Sequence, residues 1–378
     1  MTALSSPATA ARRLLAALAL TASLLMTVGG PAHAPAAPTA RATAPLATVP
    51  ADETPVLTAA AVESIAIVVA DLDHATAFYR DTLGFEPLAR DTRQGPEFER
   101  LCGRRDARAA VQRLRLGAQS VELVRFLAPA GRPARPDAAA NDLDFQHIAI
   151  VVADIDRAAA ALRAAGARFI SDGPQRLPAW NRAAAGISAC YFRDPEGHAL
   201  EIIHYPPALS PHWAAVSAAN PDRLFLGIDH TAIAVADTDR ALRFYRDALG
   251  MGVAGRGENY GPEQERLSGV FGAQVRITTL RAPSGPGVEL LEYLAPATGR
   301  PAPGDTSPAD AWAWQIRIRV AESPALAAAA LRTARAPRLS AGPSGPDDVP
   351  PHLLVRDPDG HLVLIDSAPK SPTASNTP

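Results

Sequence analysis

One short phrase is written four times along this chain, and this repetition limits the possible folds more than any other feature. The clearest copies are FQHIAIVVADIDRAAAAL at Phe145–Leu162 and IDHTAIAVADTDRALRFY at Ile228–Tyr245. An earlier copy, VESIAIVVADLDHATAFY, begins at Val62, and a more divergent one, AWQIRIRVAESPALAAAAL, spans Ala313–Leu331. A repeat this short cannot close a core alone, so we expect four related modules that pack on one another.

Matching ends divide the body of the chain into two pairs of modules. Modules 1 and 3 share GPEFERL at Gly95 and GPEQERL at Gly261, and modules 2 and 4 share RDPEGH at Arg193 and RDPDGH at Arg356. The unit duplicated last was therefore a pair of modules. We predict two domains joined by a linker, with these bounds: domain 1 at 59–206 (modules 61–129 and 144–206), linker at 207–225, and domain 2 at 226–367 (modules 226–296 and 311–367).

Each module has the same predicted order of elements. An apolar, β-branched strand comes first, and in modules 1 to 3 an N-capping aspartate follows it: Asp71, Asp154 and Asp237. A helix of about ten residues ends at a glycine, and more strands come after it. The order predicts an α+β fold of four βαβββ modules.

The two ends of the chain lack the strand and helix patterns of the modules. Arg12 and Arg13 precede an apolar run, and Ala32-His33-Ala34 fits a cleavage site, so residues 1–34 are predicted to be a signal peptide. Residues 35–58 and 368–378 are predicted to be a disordered leader and a flexible tail. We therefore expect a periplasmic or secreted protein that has no membrane contact after signal removal.

Charge and composition exclude some kinds of function. The formal net charge is −2, which does not favour nucleic-acid binding. Lys370 is the single lysine and lies in the tail, so covalent chemistry through a lysine amine is excluded. Cys102 and Cys190 lie in different modules, and the sequence leaves open whether they pair. The oligomeric state is equally open.

Strand alternation sorts the residues that can carry chemistry. On the first strand of module 2, His147 shares a face with small residues, while large aliphatic side chains occupy the other face. His230 stands at the same place in module 3. The closing strands carry a glutamate within an apolar run, which is costly unless it is paired or bound to metal. These glutamates are Glu122, Glu201 and Glu289, and Leu364 takes the place in module 4.

The repeated phrase, the closing glutamate and the four-module plan together resemble the vicinal oxygen chelate superfamily, which includes glyoxalase I, bleomycin resistance proteins and extradiol dioxygenases. The resemblance runs from about Ala61 to Ser367. It implies a divalent metal in a cup between two modules, with ligands from the head of the first strand and from the closing glutamate. Carried over by position, the candidate pairs are Ser64 and Glu122, His147 and Glu201, His230 and Glu289, and Gln315 and Leu364.

Two pairings of the modules are possible. If modules pair within each half, Glu122, His147 and Glu201 share one cup, and His230, Glu289 and Gln315 share the other. If they pair crosswise, modules 2 and 3 hold His147, Glu201, His230 and Glu289, and modules 1 and 4 keep no complete set. We favour the crosswise pairing because it gathers all the losses in one cup. Glu122 and Gln315 remain as secondary candidates for metal ligands.

Two histidines and two carboxylates suit Ni, Co, Mn, Fe(II) or Zn. The resemblance then implies a glyoxalase-like isomerase or lyase acting on a small oxygenated molecule, with Glu201 or Glu289 as general base. An exported protein would meet little glutathione, which speaks against glyoxalase I activity itself. An extradiol dioxygenase and a non-enzymatic binder are the alternatives.

Several other side chains allow two interpretations. Arg317 and Arg319, beside Gln315, form either an anion clamp or a solvated strand face. His198 and His361 are interpreted as turn residues. His204 and Glu292 should point away from the cups because they lie three residues beyond their glutamates. The aromatic residues that either line a cup or pack in the core are Trp180, Tyr260, Trp312 and Trp314.

Overall fold

The computed structural model describes residues 57–340 and 352–367. The predicted signal peptide, nearly all of the leader and the tail lie outside the described residues, so export remains a prediction. Within the described part, Leu57 is buried and its backbone N–H donates to the carbonyl of Ala248. No helix in the described ranges is long and apolar enough to cross a membrane.

Modules 1 and 3 follow the predicted βαβββ order; module 2 has four strands after its helix, two of them only two residues long, and the described residues of module 4 have two. The strands are β1 Ala59–Val68, β2 Glu86–Gln94, β3 Arg108–Leu116, β4 Gln119–Ala128, β5 Gln146–Val152, β6 Arg168–Phe169, β7 Gln175–Arg176, β8 Ser188–Arg193, β9 Ala199–His204, β10 Phe225–Ala234, β11 Gly252–Tyr260, β12 Gln274–Arg281, β13 Gly287–Ala295, β14 Gln315–Val320, β15 His352–Arg356 and β16 Leu362–Ser367. The helices are α1 Leu72–Asp81, α2 Pro96–Cys102, α3 Ile155–Ala164, α4 Pro211–Ala219, α5 Thr238–Leu242, α6 Pro262–Ser268 and α7 Pro324–Thr333, and a π-helical segment, Arg243–Ala248, continues α5.

The predicted caps fix the start of the first helix in modules 1 to 3. The carboxylate of Asp71 accepts hydrogen bonds from the backbone N–H groups of Asp73 and His74. Asp154 and Asp237 do the same for Arg157 and Arg240. Each cap satisfies backbone donors that a helix leaves unpaired at its first turn.

The modules pair crosswise, as the distribution of candidate ligands predicted. Within the described residues, one sheet has seven strands in the order β15-β16-β14-β1-β4-β3-β2, all from modules 4 and 1. The other runs β11-β12-β13-β10-β5-β9-β8-β6, with β7 beside β8, and comes from modules 3 and 2. The centre of each sheet is an antiparallel contact between two first strands, β1 with β14 and β10 with β5. The predicted sequence domains 59–206 and 226–367 therefore each contribute one module to each sheet.

One core is shared by both sheets. Ile65, Ile148, Ile233 and Ile316, one from each module, are fully buried in the same apolar cluster. The small residues of the same strands face the opposite way, into a concave surface on each sheet. We call these surfaces the 2–3 cup and the 1–4 cup, after the modules that form them.

The predicted linker 207–225 contains a helix. Helix α4 begins with Pro211 at its first turn, where the missing N–H of proline costs no hydrogen bond. Its one buried side chain, Trp213, packs beside β10 and contacts the 2–3 cup. This segment thus belongs to the wall of the site.

The two cysteines do not pair. Cys102 and Cys190 are both buried free thiols; Cys102 ends helix α2 in module 1, and Cys190 lies on β8 in module 2. Burial raises the pKa of each thiol to about 12, so neither is an available thiolate at neutral pH.

Candidate metal centre in the 2–3 cup

Four strands bring four candidate ligands to one face. The antiparallel contact of β5 with β10 sets His147 opposite Ala232 and His230 opposite Ala149. The closing strands then lie parallel on either side, with Glu201 beside Ala149 on β9 and Glu289 beside Ala232 on β13. Adjacent strands lie about 4.8 Å apart, so side chains on one face in neighbouring positions reach each other. The structure therefore brings together His147, Glu201, His230 and Glu289.

The distances between these side chains are short. Glu201 Oε2 lies 3.2 Å from His147 Nε2 and 3.5 Å from His230 Nε2. His230 Nε2 is also 3.4 Å from Glu289 Oε2. Ligand atoms of His147, Glu201 and His230 all lie within 4.8 Å of one another, and the three residues are buried.

This arrangement suits a divalent ion. Bonds of about 2.0–2.2 Å from one ion place neighbouring ligand atoms ~3–3.5 Å apart, as these nitrogens and oxygens already are. Neutral imidazole and carboxylate together are the donors that Zn, Fe, Co, Ni and Mn accept. The His147–Glu201–His230 group can therefore hold a divalent metal, and Glu289 is placed to add a fourth ligand.

Electrostatics favour an ionised carboxylate between the two imidazoles. Burial alone would raise the pKa of Glu201, but its hydrogen bonds with His147 and His230 outweigh burial and lower that pKa to about 2. Burial opposes the charged form of His230, yet Glu289, Asp229 and Glu201 raise its pKa well above the ordinary value. The pocket is thus built to hold positive charge at the position that Nε2 of His230 faces.

Asp229 is a candidate functional residue that strand alternation did not find. A β-bulge on β10 lets Ile228 pair with Ile150 and His230 with Ala149, leaving Asp229 without a partner on β5. The bulge turns its side chain to the same side as His230, and His230 Nδ1 lies 3.0 Å from Asp229 Oδ2. A donor at Nδ1 leaves Nε2 free to bind metal. The signal was present as the Asp-His dipeptide, but strict alternation assigns the two residues to opposite faces.

Asp229 is itself held on several sides. Trp213 Nε1 of α4 donates to its Oδ1 at 2.8 Å, and Arg281 donates to its Oδ2 at 2.9 Å. The Tyr205 hydroxyl lies 3.3 Å from the same Oδ2. Burial would raise the pKa of Asp229, but the hydrogen bond with His230 and the charge of Arg281 hold it well below its usual range. The carboxylate therefore stays charged and keeps the imidazole oriented.

A cavity of about 340 Å³ opens over these side chains. Its size is within the range typical of small-molecule sites, about 300–1,000 Å³. The two glutamates differ in their access to it, since the side chain of Glu201 is 6% exposed and that of Glu289 is 17% exposed. Thr279 Oγ1 donates to Glu289 Oε1 at 2.8 Å, which leaves Oε2 toward His230. Polar groups on the cavity wall include Asn181, Tyr191, Arg256, Asn259 and Gln264.

The secondary ligand candidates Glu122 and Gln315 do not join this site. Both belong to the other sheet, on β4 and β14. Glu122 accepts hydrogen bonds from Arg93 at 2.7 Å and from Arg113 at 3.1 Å, so its charge is already compensated. Ser64 and Leu364, the remaining positions in the 1–4 cup, supply no histidine or carboxylate. The pairing within each half, and the two three-ligand cups it implied, are thereby excluded.

The other residues singled out from the sequence have structural places. His204 Nδ1 contacts the carbonyl of Val152, and Glu292 accepts from Thr238 and Arg276, so both point away from the cups as predicted. Trp314 is buried in the shared core. The other three aromatic residues lie elsewhere: Trp180 and Tyr260 stack with ring centroids 4.1 Å apart, and Trp312 lies under Arg132.

His198 and His361 are more than turn residues. His198 Nδ1 lies 2.9 Å from Asp194 Oδ2, and the hydroxyl of Tyr79 on α1 reaches the same oxygen at 3.3 Å. The Asp-Pro-x-Gly-His turn of module 2 thereby binds the first helix of module 1. Module 4 binds module 3 in the same way through His361, Asp357 and Tyr245, and these contacts join the two sheets.

Comparisons with known proteins agree with this architecture. The family model described as Glyoxalase/Bleomycin resistance protein/Dioxygenase superfamily matches the chain twice, at residues 61–202 and 227–365, and the chain belongs to this family. A 2-epi-5-epi-valiolone epimerase from an Actinomyces species is 35% identical over 153 residues, covering 39% of this chain and 81% of the epimerase.

Solved structures show the same fold. Glyoxalase I from Zea mays aligns over 81% of this chain and 92% of its own, with 16% identity and a TM-score of 0.51. A putative dioxygenase from Bacillus subtilis aligns over 83% of this chain and 86% of its own, with 13% identity and a TM-score of 0.50. At these identities the likeness concerns the fold alone.

Proposed function

We propose that the protein is a metal-dependent isomerase or epimerase that acts in the 2–3 cup on a small polyhydroxylated ketone. The observation that carries the proposal is the position of Glu289, which borders the His147–Glu201–His230 group and is open to the cavity. A divalent ion bound there would polarise the carbonyl oxygen of the substrate and make the hydrogen on the adjacent carbon more acidic. The similarity to a 2-epi-5-epi-valiolone epimerase supports this proposal.

The two glutamates take different roles in this proposal. Glu201 lies between two imidazoles and is nearly enclosed, so it holds the metal and stays ionised. Glu289 is reached from the cavity and touches one imidazole, so it takes the proton from the carbon beside the carbonyl. Delivery of a proton from solvent to the other face of that carbon inverts it. Return of the proton to the former carbonyl carbon, with the hydroxyl proton passing to the former carbonyl oxygen, isomerises the ketone. No electron acceptor is needed, because only protons move.

The test is exchange of the substrate hydrogen with solvent. Metal-loaded protein in D₂O is mixed with 2-epi-5-epi-valiolone and with simpler cyclic and open-chain hydroxyketones, and deuterium at carbon is followed by NMR. We expect exchange with one class of ketone and a loss of about 10²–10⁴-fold in Glu289→Gln, the usual contribution of a general base. Glu122→Gln, the equivalent change in the 1–4 cup, should exchange at the wild-type rate. Undiminished exchange in Glu289→Gln contradicts the proposed base.

A second candidate is an extradiol-type dioxygenase. Two histidines and one carboxylate are the ligand set of many non-haem Fe(II) oxygenases, and His147, His230 and Glu201 form the tightest group here. Oxygen uptake with catechols by the Fe(II)-loaded protein, without proton exchange in ketones, favours this function instead.

A non-enzymatic binder is the third reading of the cup. It predicts that neither reaction occurs. It also predicts that added metal leaves the melting temperature unchanged, since only a ligand bound by the folded state raises it.

A further inference from the structure

The 1–4 cup also holds a cavity. Its volume is about 310 Å³, close to that of the cavity in the 2–3 cup. Phe98 and Leu101 of α2, together with Leu364 of β16, give it apolar walls, and Arg93 and Arg317 line it with guanidinium groups. The cup without a complete set of metal ligands therefore also has space for a small ligand.

The two cups of this chain can be compared position by position. Arg93 lies two residues before the glycine of GPEFERL, where the 2–3 cup has Asn259. Arg113 is paired opposite Glu122, as Thr279 is paired opposite Glu289.

The first strands differ in the same direction. Arg317 stands two residues after Gln315, where module 2 has Ala149 two residues after His147. Each of the three exchanges places a fixed positive charge where the 2–3 cup has a neutral side chain. The 1–4 cup, which lacks a complete set of metal ligands, thus carries cationic side chains of its own.

The positive charges of Arg93 and Arg113 are only partly neutralised. One carboxylate, Glu122, is shared by Arg93 and Arg113, and it is nearly inaccessible at 3% side-chain exposure. Two guanidiniums on one carboxylate leave one positive charge over. Arg93 and Arg317 are 28% and 22% exposed, so their charges face the cavity as well as their partners.

Arg317, in contrast, lies between two carboxylates, Asp366 and Glu63, and Glu63 Oε2 is 3.4 Å from its Nε. Asp366 accepts from Arg317 and also contacts Nδ1 of His352, which lines the cavity. Glu63 occupies the β-bulge of β1, the place that Asp229 occupies on β10, and it pairs with Arg319 at 2.7 Å. Asp366 and Glu63 lie beside Arg317 and hold it in place, as Asp229 orients His230.

We propose that the 1–4 cup binds a small organic anion, a carboxylate with an apolar body, through Arg93 and Arg317 and without a metal. The guanidiniums would pair with the carboxylate in the planar geometry that arginine offers. The apolar body would lie against Phe98, Leu101 and Leu364. This site is separate from the 2–3 cup and does not depend on the reaction proposed there.

Binding of benzoate, measured by isothermal titration calorimetry, tests the proposal. Neutral benzamide, which has the same shape, serves as the comparison ligand, and phenyl phosphate tests a dianion. The protein is treated with chelator and dialysed first, so that no metal-bound carboxylate contributes. We expect benzoate to bind and benzamide to bind at least tenfold more weakly, with benzoate binding declining as NaCl is added.

Variants assign the binding to this cup. Arg317→Gln and, separately, Arg93→Gln should each weaken benzoate binding about tenfold, the loss of one charged contact. His230→Ala, in the other cup, should leave it unchanged, and thermal melts followed by circular dichroism confirm that each variant is folded. Three results would each overturn the proposal. Benzoate and benzamide could bind equally well, or benzoate could fail to bind at millimolar concentration. Binding could also be lost in His230→Ala but in neither arginine variant. Tighter binding of phenyl phosphate than of benzoate would overturn the choice of a carboxylate.

Discussion

At the scale of single residues, the candidate metal centre depends on a side chain that is not itself one of the candidate ligands. Asp229 fixes which nitrogen of His230 faces the cup, and α4 and β12 hold Asp229 through Trp213 and Arg281. The histidines and glutamates of the site could be predicted from the sequence because they recur at equivalent repeat positions. Asp229 could not, because the bulge that turns it toward the cup breaks the two-residue period on which the prediction rested.

Asp229→Asn should weaken metal binding by about 10–100-fold, the usual effect of removing a carboxylate that orients a histidine ligand. The asparagine amide can present its NH₂ to Nδ1, which favours the tautomer with the proton on Nε2. Competition titration with a zinc indicator measures the change. Glu63→Gln is the matched control, since Glu63 occupies the same bulge position in the 1–4 cup, and it should leave zinc affinity unchanged. Equal zinc affinity in Asp229→Asn and wild type would show that Asp229 does not orient the ligand.

At the scale of elements, the antiparallel contact of β5 with β10 unites candidate ligands from the two halves of the chain. The crosswise pairing was predictable because the substituted positions fall in modules 1 and 4 alone. Other elements could not be predicted from the sequence. The GPEFERL and GPEQERL motifs proved to be α2 and α6, whose side chains line the two cavities, and the linker carries α4. These helices are short, and a seven- or nine-residue helix has too few turns to show a clear period in sequence.

A shared centre predicts one ion per chain. His147→Ala and His230→Ala should each abolish tight binding, because each variant removes one imidazole from the same group. Elemental analysis of protein refilled with Zn, Ni, Co, Mn or Fe(II) measures the stoichiometry. His204→Ala, which lies on the same strand as Glu201 but faces away, is the control and should keep the ion. Two ions in wild type, each lost in only one variant, would contradict a single centre.

The Asp-Pro-x-Gly-His turns make a separate prediction about stability. Tyr245→Phe removes a hydroxyl that contacts buried Asp357 at 3.1 Å, and Tyr79→Phe removes the equivalent contact with Asp194. Each variant should lose about 1–2 kcal/mol of unfolding free energy, since a buried carboxylate then lacks one donor. Urea unfolding followed by circular dichroism measures this loss. Tyr260→Phe, at an exposed position, is the control and should have little effect on stability. Equal stability of all three variants would show that these turns do not link the modules.

At the scale of the whole molecule, hydrogen bonds join the segments that connect the modules to the opposite half of the chain. Asp142, before module 2, accepts hydrogen bonds from the backbone and side chain of Arg300, which follows module 3. Asp310, before module 4, does the same for Arg132, which follows module 1. The repeated Gly-Arg-Pro sequence was visible, but its partner lies far along the chain, and no local pattern identifies it.

Close approach explains the glycines of these segments. A Cβ added at Gly131 would lie 1.7 Å from the carbonyl oxygen of Ala309, and one at Gly299 would lie 1.7 Å from that of Asn141. No side chain fits at either position, so the two connections can cross only with glycine there. We call the two equivalent contacts, Asp142 with Arg300 and Asp310 with Arg132, the clasp. The clasp fixes how the two halves of the chain interlock.

The clasp predicts how stability depends on pH. Burial would raise the pKa values of Asp142 and Asp310, but hydrogen bonds from Arg300 and Arg132 lower both below the ordinary value. A carboxyl whose pKa is lowered in the folded state stabilises that state above the unfolded pKa, about 3.9, and loses this effect as the pH falls through the folded value. Asp142→Asn should thus lower the unfolding free energy by about 2–3 kcal/mol at pH 7. This difference from wild type should shrink below about pH 4. Urea unfolding at pH 7, 5, 4 and 3 measures both effects.

The control for the clasp is Asp137, which pairs with the same arginine but is 70% exposed. Asp137→Asn should change stability little at any of these pH values, because water screens an exposed pair. A difference between Asp142→Asn and wild type that stays constant down to pH 3 would mean that the Asp142 carboxyl is not held ionised by Arg300. In that case the two halves would be joined by the shared apolar core and by the strand contacts of β1 with β14 and of β5 with β10, with the connecting segments passive.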